Sequence, residues 1–415
     1  MRESKKLPAD FTLFVATMCL FAIGILMVFD SSFAKAADMK MTGGDSWYFV
    51  KRQFMFGVFG LGAMFLMMRV KLEKLRKWAL PMLVVAIVLL MLVLVPGIGR
   101  MSNGARRWFP IGPFRFQPSE FAKFAVAIYL AAALSGQKFR IRNFGSGILV
   151  HLLFVGLVAG LVFIEPDMGT ASVIVINAGV LLFVAGALKR HLMSLAATGA
   201  VAGGVLIAIE PYRLARLTTF INPMKDYYGD GYQVMHSLIA LGSGGPLGRG
   251  LGEGREKFYL PAAPTDFIFA TLGEEVGLLG TLLVVGLFLL ITYRGLSIAS
   301  RSKSPYLSLL AVGLTSMLCV QALINIAVVS AAMPATGVPL PFLSYGGSAL
   351  VFALMAAGLL LNISRHAYSA AEVGVEDTDE GHLNRGRDGR THLSRSQHSR
   401  RGAVRRPQGR STIRR

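Results

Sequence analysis

The chain has 415 residues, of which 53% are hydrophobic and only 16% charged, against roughly a quarter charged in an ordinary soluble domain. So large an apolar surplus excludes a water-soluble globule and makes the bilayer the expected solvent. Lys and Arg number 43 against 23 for Asp and Glu, giving +20, but twelve of the arginines fall between Arg365 and Arg415, so the charge belongs mainly to a tail and calls for no nucleic-acid partner.

An apolar run of about 17 or more residues can cross the hydrocarbon core as a helix, with every backbone polar group satisfied internally. Ten such runs are predicted, at Phe11 to Phe29, Gln53 to Val70, Trp78 to Val95, Ser119 to Leu134, Ile148 to Ile164, Gly169 to Ala187, His191 to Ile209, Phe267 to Thr292, Tyr306 to Ala332 and Gly346 to Ile363. The expected fold is therefore an all-α polytopic membrane domain over residues 11–364, after a short cytoplasmic N-terminus at 1–10. The first run is too long for a signal-peptide core, so it reads as a retained span.

Basic residues set the orientation. Lys71, Lys74, Arg76 and Lys77, then Lys138, Arg140 and Arg142, then Lys189 and Arg190, then Arg294, Arg301 and Lys303 occupy alternate loops. Those loops and both termini are expected in the cytoplasm. The Arg- and Ser-rich tail, 365–415, lacks the apolar residues to fold alone and reads as disordered. Cys19 and Cys319 lie inside apolar runs, so no disulfide framework is expected.

Five segments on the opposite, outer face carry the chemistry. Ser102 to Lys123 presents Arg106, Arg107 and Arg115, permanent cations suited to phosphate oxygens. Glu120 and Lys123 follow at i and i+3 within a span, either as functional ionisable groups or as an ion pair that knits helices. Glu165-Pro166-Asp167 forms a short outer turn, where Asp167 either caps the next helix or lines a site. The connection at about 210–266 offers Arg213 and Arg216, an amphipathic stretch from Tyr232 to Leu241 suited to lying flat on the membrane interface, and seven glycines between Gly242 and Gly254 that read as a mobile loop.

Asp266 stands where that connection meets the eighth run, ahead of Phe267, Ile268 and Phe269, so lost solvation should raise its pKa toward the range of a general base. Glu274 and Glu275 follow inside the run, with a structural and a site role equally open for Glu274. Last, Met333 to Ser348 is uncharged and rich in Pro and Gly; such irregular backbone at membrane depth must be buried or line a cavity, with Ser344 and Tyr345 shaping its wall.

These segments, in order from about Phe11 to Ile363, resemble the SEDS family of FtsW, RodA and SpoVE, its FtsW branch most. The specific matches are Pro264-Thr265-Asp266-Phe267-Ile268-Phe269 with Gly273-Glu274-Glu275, and Leu340-Pro341 through Ser344-Tyr345-Gly346-Gly347-Ser348; Glu210 through Arg213 to Asn222-Pro223 favours the FtsW branch. The resemblance implies a ten-span inner-membrane enzyme of the division septum. It would polymerise lipid II beside a class B penicillin-binding protein transpeptidase and other divisome membrane proteins. By the same resemblance Asp266 is the catalytic acid residue and Glu120, Lys123 and Asp167 are needed for activity. Pro264 replaces the family's common His and Ala349 a common Ser, and the first removes any histidine relay.

A mechanism can be framed from the chemistry. A donor sugar already joined to pyrophosphate needs no acid to leave, only cations to meet its developing charge. One base, Asp266, would then take the acceptor hydroxyl proton. Arg106, Arg107, Arg213 or Lys123, with a divalent cation such as Mg or Mn as a further option and no organic cofactor, would hold the pyrophosphate. A lipid flippase or transporter, and a non-catalytic division scaffold, are the alternative readings.

Overall fold

The computed structural model describes residues 8–38, 42–102, 105–112, 114–136, 144–209, 211–226, 229 and 231–384. Each of the ten apolar runs coincides with a helix: α1 (Phe11–Asp38), α2 (Tyr48–Met67), α3 (Leu72–Leu94), α4 (Pro118–Leu134), α5 (Leu149–Ile164), α6 (Met168–Val184) and α7 (Lys189–Ile209) come first. The outer connection supplies α8 (Pro211–Ile221), α9 (Tyr232–Gly244) and α10 (Glu256–Tyr259), and α11 (Ile268–Arg301), α12 (Pro305–Val329) and α13 (Gly347–Asn384) complete the order.

Among the described residues, α1, α2, α3, α11, α12 and the Gly347–Ala367 part of α13 are long and apolar enough to cross a membrane, and α5 and α6 are shorter apolar helices. Large apolar side chains such as Leu153, Phe183, Leu282 and Leu289 are more than half exposed, which only a lipid surround tolerates over so much area. The protein is thus a multi-pass membrane protein. Its innermost element is α4, whose residues from Pro118 to Ala131 are buried except Phe121. Proline at its first position costs nothing, because the missing N–H would have had no partner.

The ends assigned to one side gather together. At the predicted cytoplasmic end Arg294 of α11 donates to Asp10 Oδ2 from Nε (2.9 Å) and Nη2 (2.6 Å), Asp10 N donates to Ser364 Oγ, and Asn362 Nδ2 reaches the carbonyls of Met67 and Val70 (both 2.8 Å). These bonds satisfy the last carbonyls of α2 and tie the chain's first helix to its last. The polar groups of the opposite end form the site described below.

Several details depart from the sequence reading. An all-α chain was expected, yet a small antiparallel sheet, β1 (Arg100–Ser102), β2 (Ala105–Ile111) and β3 (Phe114–Phe116), precedes α4. The pair Asn103-Gly104 in the sequence between β1 and β2 is a strong hairpin signal that the helical reading passed over. α1 extends well beyond Phe29. α11 is not one straight span from Phe267 to Thr292: it breaks at Gly277, whose φ of +72° no L side chain adopts readily, and continues to Arg301. α9 forms as its spacing predicts, but its buried residues Val234, His236, Ser237 and Ala240 face protein, with Ser237 Oγ on Val329 O (2.6 Å), rather than lying on lipid.

Contacts divide the chain into two units, Met1–Ala371 and Glu372–Arg415. The second is helical as far as Asn384, and the rest of the tail expected to be disordered lies outside the described residues.

Candidate active site

Asp266 sits in the turn that leads into α11. The carbonyl of Ala262 takes the N–H groups of Thr265 (3.1 Å), Asp266 (3.1 Å) and Phe267 (3.2 Å), and Ala263, Phe267 and Ile268 beneath are buried. Two further bonds pin this turn to its surroundings: Asn325 Nδ2 of α12 donates to Asp266 O (2.8 Å), and Tyr345 N donates to Pro264 O (2.8 Å). The backbone is therefore fully engaged while the half-buried carboxylate, among the described residues, has neither a hydrogen bond nor an ion pair. Burial, and after it the negative charge of Asp167, pushes its pKa up from 3.8 to about 6; the guanidiniums of Arg216 and Arg107 pull the other way. The direction is the one expected from its lost solvation.

The loop after α12 forms the wall beside it. Gly337, at φ +73°, carries backbone so close that a Cβ there would lie 3.7 Å from Asp266 Oδ2. Asn325 Nδ2 also donates to Val338 O (2.7 Å), and Gln321 Nε2 to Pro339 O (2.9 Å), so two amides of α12 hold the loop in place. On its far side α6 approaches through Gly169, where a Cβ would fall 2.1 Å from Val338 Cγ2.

Asp167 takes the capping role offered for it and stands near enough to act on Asp266. As N-cap of α6 it accepts from Thr170 N through Oδ1 (3.0 Å), and through Oδ2 from Gln117 Nε2 (3.3 Å), while its charge acts on Asp266. Arg107 of β2 donates through Nε to Glu165 O (2.7 Å) and through Nη2 to Pro166 O, a cation on carbonyls at the C-terminus of α5. Arg106 is partly exposed and, by the alternation of a strand, projects from the other face of β2. Arg216 of α8 reaches Ala335 O (2.8 Å), which brings it to the site; the side chain of the predicted Arg213 lies outside the described ones.

The remaining predicted residues support the site from within. Lys123 Nζ pairs with Glu120 Oε1 (2.8 Å) and donates to Gln321 Oε1 (2.5 Å), and with both side chains at most 4% exposed they form the inner end of the chain that holds the Pro339 loop. Ser344 is buried and turns its own loop, accepting from Leu340 N through Oγ (2.8 Å), while Gln53 Nε2 donates to its carbonyl (3.2 Å). Tyr345 stands edge-on to Phe49, with ring centroids 5.0 Å apart; burial raises its phenol pKa, opposed chiefly by Arg52. Glu274 is not brought to Asp266: its Oε1 and Oε2 take Arg255 N (2.8 Å) and Glu256 N (3.0 Å) in the glycine loop.

That loop is also not the mobile one its glycines suggest. Glu275 accepts from Gly252 N and Gly254 N (both 3.2 Å) and pairs with Lys257 Nζ (2.7 Å), which bridges to Asp30 of α1 (2.8 Å).

One residue escaped the sequence reading of the site, and Glu165 entered it only as part of the outer turn. Arg52, from α2, lies over the Tyr48 ring at 4.5 Å and adds a cation beside Tyr345. Glu165 is fully buried, and neither carboxyl oxygen has a hydrogen-bond partner among the described residues. Burial, then Asp167, pushes its pKa up to about 9 against the pull of Arg107, so it stays protonated at neutral pH. No group of three His, Cys, Asp or Glu side chains that could hold a metal occurs among the described residues. The arrangement is thus a weakly basic, uncommitted carboxylate flanked by fixed arginines at the lip of a membrane bundle.

The chain is 43% identical over 365 residues to the stage V sporulation protein E of Bacillus subtilis, covering 88% of this chain and 99% of that one. It is 39% identical over 359 residues to a protein of Trichlorobacter lovleyi named probable peptidoglycan glycosyltransferase FtsW, covering 86% and 93%. Among solved structures it resembles a chain of a peptidoglycan synthase complex described as coordinating polymerization and crosslinking, with TM-score 0.73 at 30% identity over 87% of this chain and 99% of that one. The rod shape determining protein RodA of Thermus thermophilus follows with TM-score 0.65 at 28% identity over 87% and 98%. The cell cycle protein family of FtsW, RodA and SpoVE matches residues 11–369, and the chain belongs to that family.

Proposed function

We propose that the protein is an inverting peptidoglycan glycosyltransferase that polymerises lipid II into β-1,4 glycan strands, with Asp266 as general base. The enzyme class agrees with the names its relatives carry. The observation that supports the site is the Asp266 carboxylate itself, poised near pKa 6 with no hydrogen bond to break before it acts. In the reaction the acceptor's 4-hydroxyl gives its proton to Asp266 as its oxygen bonds to C1 of the donor sugar. The bond from C1 to the pyrophosphate oxygen breaks, and its electron pair leaves with the lipid pyrophosphate. Arg107 and Arg216, each already oriented by a backbone carbonyl, are the cations placed to meet that charge, and Glu165, being neutral, does not oppose it.

A Mg or Mn ion would sit on the substrate's phosphate oxygens, which suit a hard cation. The partner proposed for cross-linking is a class B penicillin-binding protein, acting with other divisome proteins at the septum of the bacterial inner membrane. The alternative of a flippase would call for polar sites at both ends of the bundle; at the opposite end Asp10 and Arg294 are paired with each other.

The test is polymerisation of lipid II by the purified protein with its partner, comparing wild type with Asp266→Asn. Chain formation by the variant within severalfold of wild type removes Asp266 from the role.

A further inference from the structure

The ordered glycine loop has its own hollow. Arg249, Glu253 and Arg255, all exposed, line an open cavity of about 290 Å³. Its floor is built. Arg249 N and Gly250 N donate to the carbonyls of Glu274 and Glu275 (both 3.0 Å), and the buried carboxylates of those two residues hold the amides of Gly252, Gly254, Arg255 and Glu256. This cluster is separate from the one around Asp266, whose charged neighbours are Asp167, Arg216 and Arg107.

Depth in the membrane follows from α11. Beyond the break at Gly277, Leu278 through Arg301 is about 36 Å of helix at 1.5 Å per residue, just over the roughly 30 Å of hydrocarbon. Leu278 therefore marks the outer boundary of the acyl region. Leu278, Leu279, Leu282 and Leu283 are exposed in one apolar stripe below that boundary. The loop is fastened to its top by Leu278 N on Gly245 O (2.9 Å) and Leu279 N on Pro246 O (3.2 Å), and Leu247 in the same loop is 76% exposed. The hollow thus stands at headgroup level, directly over a lipid-facing surface.

Its chemistry is that of a zwitterion receptor: Arg249, which also reaches Glu274 Oε1 at 3.4 Å, and Arg255 offer guanidinium N–H groups to a phosphate diester, and the exposed carboxylate of Glu253 suits an ammonium group. We propose that Arg249, Glu253 and Arg255 bind the headgroup of an outer-leaflet aminophospholipid, the arginines taking its phosphate and Glu253 its primary ammonium. The site does not depend on the enzymatic reading of Asp266.

Full-length protein in nanodiscs containing equal phosphatidylethanolamine, phosphatidylglycerol and phosphatidylcholine is released into detergent and weighed by native mass spectrometry. Wild type should retain phosphatidylethanolamine in preference. The double variant Arg249→Gln, Arg255→Gln should retain about tenfold less lipid, as expected for the loss of charge-assisted bonds. Glu253→Gln should keep bound lipid but lose the preference for phosphatidylethanolamine over phosphatidylglycerol, a readout that a misfolded loop would not give. Unchanged retention in the double variant, unchanged headgroup preference in Glu253→Gln, or displacement of the lipid by millimolar inorganic phosphate would each overturn the proposal.

Discussion

Asp266 and Glu274 are acids eight residues apart, both at the outer end of α11, and the fold treats them oppositely. The carboxylate of Glu274, fully buried, is occupied by two backbone amides and by Arg249, and neighbouring Glu275 by two amides and Lys257. At Asp266 the backbone makes the bonds and the carboxylate makes none. A buried charge with all its hydrogen bonds made fixes structure, whereas one held near the surface without them retains basicity. Under the proposed function the first carboxylate serves chemistry and the second architecture.

The largest expected effect separates the two by activity. Asp266→Asn should lower lipid II polymerisation by about 10²- to 10⁴-fold, the usual contribution of a general base, with thermal unfolding unimpaired. For the wild type the rate should fall as pH drops through about 6, where Asp266 takes up its proton. A rate constant from pH 5 to 7 would contradict that assignment.

Next comes the reverse signature. Glu275→Ala leaves Lys257 buried with one carboxylate fewer and two loop amides without acceptors, a loss of about 3–5 kcal/mol. Melting temperature followed by tryptophan fluorescence or scanning calorimetry should drop by more than for any variant at Asp266. If instead activity vanished with the melting point unchanged, the division of labour drawn here would be wrong.

A smaller effect probes the wall shared by α6 and the Pro339 loop. Gly169→Ala puts a methyl 2.1 Å from Val338 Cγ2 and 2.9 Å from Thr336 O, an overpacking cost of about 1–3 kcal/mol. The loop beside Asp266 must shift, so kcat should fall more than expression does; an unaltered kcat would mean the loop's position is immaterial.

The smallest concerns Glu165 and carries the opposite sign. Its folded pKa of about 9 exceeds the ordinary 4.5, so the folded state holds a proton that the unfolded state releases between those values. Stability on its account is therefore lost as pH rises from about 5 to 9. Glu165→Gln, neutral at every pH, should flatten that slope and raise the melting temperature at pH 8 by about 2 °C or more. A variant less stable than wild type at pH 8 would show that the carboxyl has a partner when the protein sits in lipid.

Much of this was legible from residue order. Ten apolar runs became ten helices, because in a bilayer the backbone has few other ways to bond itself, and the alternation of basic loops agreed with which ends meet. Asp266 stood out as an acid between a polar loop and Phe267-Ile268-Phe269. The sheet at 100–116 was missed because a search for apolar periodicity overlooks short, cationic strands. The glycine loop was misread because glycine content speaks only of what a backbone can do; Glu274 and Glu275 supply the bonds that choose one conformation, from the far side of the connection.

The amino-acid sequence by itself determined the solvent, the helices and the face on which polar groups collect, since these depend on transfer free energies and local periodicity. Only the tertiary structure decided which carboxylates are consumed and which is left: that Arg107 and Arg216 flank Asp266, that Glu165 is neutral, and that Glu274 closes a loop. Each of those outcomes depends on groups far apart in the chain sharing one low-dielectric space, where a single neighbour changes whether a charge is held, paired or given up.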